Sequence, residues 1–149
     1  RIKRVKEFLE DDQDFCLTYG DGLSNVNINE LINFHQSHGK TGTITSVYPP
    51  GRFGALQIQD NCVKSFFEKP SGDGALVNGG FFVLHKSVIS LIDNDNTIWE
   101  QEPLNNLANK GELMAFKHDG FWQPMDTLRD KNYLEKLWTS NKAPWKIWS

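Results

Sequence analysis

The chain has 149 residues, 38% of them hydrophobic, with 16 basic against 19 acidic side chains, a net charge of −3 and a pI near 5.8. This length and apolar content suit one soluble globular domain with its own core. The slight acidity leaves no surplus of positive charge to track a nucleic-acid backbone or an anionic membrane, so an anionic ligand has to be held locally.

No apolar run approaches the roughly 18 residues of a membrane-spanning segment, and no apolar stretch of the signal-peptide kind follows the basic start RIKRVKEF. A cytoplasmic protein is expected. Cys16 and Cys62 offer neither a disulfide framework nor CxxC spacing for zinc, and both are expected to be buried thiols.

In chain order, Ile2, Val5, Phe8 and Leu9 fall on one helical face, and the acidic cluster EDDQD then breaks the pattern before the buried-strand signal FCLTY. Asn27 is a candidate cap for a second helix carrying Ile28, Leu31, Ile32 and Phe34, which Gly39 terminates. TGTITSVY is the next strand. The succession helix, strand, helix, strand predicts an α/β protein whose sheet is mainly parallel with crossover helices.

After PPGRFG, the short runs ALQIQ, CVKSFFEK and VNGGFFVLH read as strands separated by DN and PSGDG turns. Residues 87–92 and 99–109 read as helices and ELMAFKHD as a strand. Thr127 or Asp126 caps a last helix through Leu137, and the aromatic tail NKAPWKIW is expected to dock or to form an interface. Without repeats or linkers, one domain is expected.

In an open α/β sheet, ligands bind beyond the carboxyl ends of the strands. Asp21 occupies such an end, between Gly20 and Gly22 in TYGDG; by itself Asp21-Gly22 reads first as a tight turn, and otherwise as a carboxylate presented to magnesium. Asp126, in QPMDT, is either a helix cap or a second metal-holding acid. Glu68 and Lys69, at a strand end before a Pro-Ser-Gly turn, read either as a solvated pair or as a hydroxyl acceptor beside a phosphate-binding point charge. His35 and His38 lie three apart on a helix but have no third ligand in sequence.

Together the segments TYGDG, PPGRFGAL, EKPSGDG, NGGFFV, WEQEPL and GELMAFKHDGFWQPMDTLRDKNYLEKLW, followed by APWKIW, resemble the cytidylyl-transferring branch of the sugar-phosphate nucleotidyltransferase family. The resemblance implies a Rossmann-like nucleotidyltransferase fold with a mixed, mainly parallel sheet flanked by helices. It implies joining CTP to glucose 1-phosphate, with magnesium on Asp21 and Asp126, and Gly20 touching substrate through its backbone. Lys69 would meet the sugar phosphate, Glu68, Gly54 and Asn78 would line the glucose pocket, and Arg1 would lie near the nucleotide. A homo-oligomer is implied as well.

The glycine-rich loop with which the family begins has no counterpart here. Residues 1–149 are therefore expected to be the C-terminal portion of a single nucleotidyltransferase domain, N-terminally incomplete, with reduced or no activity alone and an exposed sheet edge or apolar face. Two alternatives stay open: a non-catalytic sugar-phosphate-binding or oligomerisation module, and a related enzyme using another nucleotide.

Overall fold

The computed structural model describes residues 2–9, 13–51, 55–67 and 75–148. Arg1, Gly54, Glu68 and Lys69 of the expected site lie outside them. In chain order the elements are a 3-10 helix (Ile2–Leu9), β1 (Asp14–Thr18), β2 (Gly22–Ser24), α1 (Ile28–His38), β3 (Gly42–Val47), β4 (Ala55–Gln59), β5 (Cys62–Phe67), β6 (Val77–His85), a second 3-10 helix (Lys86–Leu91), α2 (Glu102–Asn109), β7 (Leu113–His118), β8 (Trp122–Pro124) and α3 (Leu128–Thr139). The chain divides into two compact units, one of Arg1–Gly20, Asn27–Thr45 and Asn78–Lys117, the other of Asp21–Val26, Ser46–Val77 and His118–Ser149.

The first unit holds most of a four-stranded mixed sheet ordered β1-β6-β3-β7, in which β1 runs antiparallel to β6 with Asp14 opposite His85 and Thr18 opposite Phe81. Phe82 and Leu84 project from β6 into a cluster with Val88, Ile92, Trp99, Leu104 and Leu107, against which Phe15 and Leu17 of β1 pack. Each such large apolar side chain contributes about 1.5–3 kcal/mol on burial.

Alternation along β1 turns Cys16 the other way, and it is exposed, as is Cys62 at the start of β5. The expectation that both thiols are buried is thereby corrected. The helix α1 starts where the sequence places it, because the Asn27 side chain accepts from Asn29 N–H (3.1 Å) and Glu30 N–H (3.3 Å), and ends at Gly39 with φ +63°.

Helix boundaries and helix types differ in places from the sequence reading. The expected helix over residues 99–109 begins at Glu102, because Pro103 suits only the first turn and Trp99 is drawn into the core cluster. Residues 2–9 form a 3-10 helix with none of its residues buried, and Phe8 is 78% exposed, so only part of the expected apolar face is used.

In the second unit β4 and β5 form an antiparallel hairpin whose turn residues Asp60 and Asn61 have φ of 49° and 61°, a backbone that Asn and Asp tolerate. The strands β2 and β8, three residues each, pair antiparallel with Gly22 opposite Pro124 and Ser24 opposite Trp122. Neither was legible as a strand. Thr127 caps α3 through a reciprocal box with Asp130, and Trp145 of the tail stacks on Phe121 at 5.4 Å.

Candidate active site

The short β2–β8 ladder decides where the two candidate acids go. Asp21 immediately precedes Gly22, and its carbonyl accepts from Met125 N–H at 2.8 Å, continuing the ladder by one more bond. Asp126 is the next residue. Both acids are exposed and stand at the same end of one ladder, although 105 positions separate them in sequence. Because Thr127 and Asp130 cap α3, the last helix does not need Asp126 as its cap. Among the described residues no group of three or more His, Cys, Asp or Glu side chains is arranged to hold a metal, so an ion here would need further ligands from substrate and water.

Gly20 is exposed, and a Cβ added there would meet nothing within 4 Å. Packing among the described residues does not demand a glycine at this position. The open space is what a ligand approaching the backbone requires.

Asn78 belongs to the first unit, at the end of the β1–β6 ladder beyond Thr18 and Phe81. Its Oδ1 accepts from Gly80 N–H at 2.8 Å and its Nδ2 donates to the Tyr19 hydroxyl at 3.2 Å, while that hydroxyl donates to Glu100. Tyr19 N–H in turn donates to Gly80 O at 2.9 Å. Fixed at both ends, the amide retains one N–H for a ligand. Tyr19 and Glu100 lie inside the segments TYGDG and WEQEPL, but only the fold reveals that they orient Asn78.

A polar cleft of about 560 Å³ lies at the opposite end of the β1–β6 ladder, between Asp14, His35, Lys40 and His85. It opens at the start of β1, the end of the sheet away from Asn78. Here His38 Nδ1 accepts from Lys40 N–H at 2.9 Å, which leaves its Nε2–H to donate to Thr43 Oγ1 at 2.8 Å. The Thr43 hydroxyl lies 2.9 Å from His35 Nδ1, and His35 Nε2 faces Asp14 at 3.5 Å. The histidines thus tie α1 to β3. Burial lowers the pKa of His38, with His35 and Lys40 adding to the effect and Glu112 opposing it. The Glu112 carboxyl is held below its ordinary value by hydrogen bonds from the Thr41 hydroxyl and N–H and from Lys40.

Residues 2–130 match the family described as nucleotidyl transferase, and the chain belongs to that family. It is 65% identical over 148 residues to the glucose-1-phosphate cytidylyltransferase of Salmonella typhi and 64% identical to that of Salmonella typhimurium, each match covering 99% of this chain and 58% of the relative. Among solved structures, HddC from Yersinia pseudotuberculosis is similar with a TM-score of 0.64 at 21% identity, over 89% of this chain and 58% of that one. The fold is of the nucleotidyltransferase α/β type, a mixed sheet flanked by helices. The chain spans 58% of the length of these curated relatives.

Proposed function

We propose that the chain is the C-terminal portion of a single nucleotidyltransferase domain that makes CDP-glucose and pyrophosphate from CTP and α-D-glucose 1-phosphate. The observation that carries the reading is the β2–β8 register, which brings Asp21 and Asp126 to one ladder end. Identity of 65% to a glucose-1-phosphate cytidylyltransferase supports this choice of nucleotide and sugar.

The two exposed carboxylates are hard oxygen donors and fit magnesium, which is commonly held by one or two carboxylates with water and substrate phosphates completing the octahedron. Held by Asp21 and Asp126, such an ion would supply charge to offset that of the α-phosphoryl oxygens and the departing pyrophosphate.

The remaining work is positioning. Lys69 places a point charge on the sugar phosphate, lessening the repulsion between two anionic substrates. Asn78 would give its spare N–H to a glucose hydroxyl, and Glu68 and Gly54 would line the same pocket, as the family resemblance implies. Gly20 would let the substrate approach the backbone, and Arg1 would serve the nucleotide, a role the family resemblance alone implies. Held in line, the sugar-phosphate oxygen attacks the α-phosphorus directly, with no covalent intermediate on the protein and no general base. The same reading implies a cytoplasmic homo-oligomer without nucleic-acid or membrane partners. Among the described residues no helix is long and apolar enough to cross a membrane.

The test joins this chain to the amino-terminal part of the Salmonella typhi relative and follows pyrophosphate release from CTP and glucose 1-phosphate with magnesium. Asp21→Ala and Asp126→Ala should each reduce turnover by about 100-fold or more, the scale expected when a charge-stabilising group is removed. Turnover equal to the unsubstituted protein in either variant refutes the assignment.

A further inference from the structure

The ladder that carries the two acids is three residues long on each side with one further backbone bond beyond each end, and so short a pairing does not define its own register. A slip of one residue would turn every side chain to the other face, and a slip of two would move Asp126 by about 7 Å along the strand. Something beyond the ladder has to hold it.

At the end opposite the acids, one residue is gripped from several sides. Phe121 N–H donates to Asn25 Oδ1 at 2.8 Å, and Phe121 O accepts from Asn25 N–H at 3.2 Å and from the Ser24 hydroxyl at 2.8 Å. His118 Nε2 lies 3.2 Å from Ser24 Oγ and 3.3 Å from Phe121 O. Since the Ser24 proton is committed to Phe121 O, His118 Nε2 must be the donor to Ser24, and Ser24 Oγ also accepts from Val26 N–H at 3.1 Å.

Gly120 makes this grip possible. A Cβ there would stand 2.5 Å from Asn25 Oδ1 and 2.6 Å from His118 Cε1. The glycine in HDGFW is required by space, because the Asn25 side chain and the His118 ring converge on its α-carbon.

We propose that Asn25 and His118, with Gly120 leaving room for them, are positioning residues that set the β2–β8 register and thereby hold Asp21 and Asp126 together. The proposal rests on the reading of those two acids as the metal-holding pair. Asn25 supplies what a three-residue ladder lacks: one side chain that recognises a single partner N–H, so that any slip leaves Phe121 N–H and Asn25 Oδ1 unpaired together.

The test uses the 149-residue chain with Mn2+ as a paramagnetic probe, read as line broadening at the amides of Asp21 and Met125, and cross-strand NMR contacts between Leu23 and Gln123. Asn25→Ala should abolish the Leu23–Gln123 contacts and weaken Mn2+ binding about tenfold, as removal of a group that orients metal ligands commonly does. Asn25→Asp, which keeps an acceptor, should restore both. His118→Ala, a milder change, should weaken Mn2+ binding about threefold, the scale of one hydrogen bond. The Phe15–Leu84 pairing of β1 with β6 serves as the control that a variant is folded. If Asn25→Ala and His118→Ala both keep the wild-type register or the wild-type Mn2+ affinity while Asp21→Asn and Asp126→Asn weaken binding, the positioning role is overturned and the metal reading stands. If Asp21→Asn and Asp126→Asn leave Mn2+ affinity unchanged, the metal reading falls, and the positioning role falls with it.

Discussion

Gly80→Ala isolates the local geometry that orients Asn78. Gly80 has φ +78°, a region that costs an L-residue roughly 1–2 kcal/mol, and its Cβ would lie 2.9 Å from Tyr19 Cδ2 and 3.2 Å from Cγ. Carbon atoms prefer about 3.5–4.0 Å, so the ring would have to retreat by more than half an ångström. It has little freedom to do so. Its hydroxyl is hydrogen-bonded to Glu100 and Asn78, its N–H to Gly80 O, and its face packs on Phe82 at 5.6 Å between ring centroids. Overpacking of this kind costs about 1–3 kcal/mol, giving a combined loss of about 2–5 kcal/mol. A central loss of about 3 kcal/mol corresponds to a fall in Tm of about 6–12 °C for a chain of this size. Urea and thermal unfolding followed by circular dichroism measure it. In Gly80→Ala/Tyr19→Ala, the clash should be relieved and the two losses should not add. A loss below about 0.5 kcal/mol in Gly80→Ala, or strict additivity in the pair, refutes the reasoning.

Acid stability should fall in two windows. The folded-state pKa of His38 is lowered, so the unfolded chain takes up that proton first; the contribution is complete above about pH 6.5 and is lost as the pH falls towards the folded value. Glu112 is likewise lowered, and its contribution is present above about pH 4.3 and lost on further acidification. Urea midpoints against pH should lose the first window in His38→Gln and the second in Glu112→Gln; unchanged profiles contradict the two networks. Asn78→Ala should weaken calorimetrically measured binding of glucose 1-phosphate about 5- to 10-fold, the value of about one hydrogen bond, and wild-type affinity would remove Asn78 from the sugar site. Both thiols should react with a disulfide reagent in the folded chain, with Cys16 needing a pH above the ordinary thiol range because partial desolvation raises its pKa; protection of either thiol contradicts its exposure.

Local signals in the sequence carried much of the fold. The cap at Asn27, the αL stop at Gly39, the strand VNGGFFVLH and the turn at Asp60-Asn61 follow from residue chemistry that acts over a few positions, and the fold uses each of them. The candidate acids were also legible, Asp21 between its glycines and Asp126 before the last helix. The apolar run around Cys16 does not say which of its residues face the core; pairing with β6 turns Phe15 and Leu17 inward and Cys16 outward.

By itself, then, the sequence determined the type of most of the longer elements, the family and which residue types are available for chemistry. Tertiary structure alone decided which of them meet. The strands β2 and β8 have no pattern of their own at three residues each and exist because the chain returns 98 positions later to pair Ser24 with Trp122. Backbone hydrogen bonds between distant segments carry no periodicity along either one. The same holds for Asn25 on Phe121 and for Tyr19 and Glu100 around Asn78. Each of these contacts depends on a register, and a register is a property of two segments together.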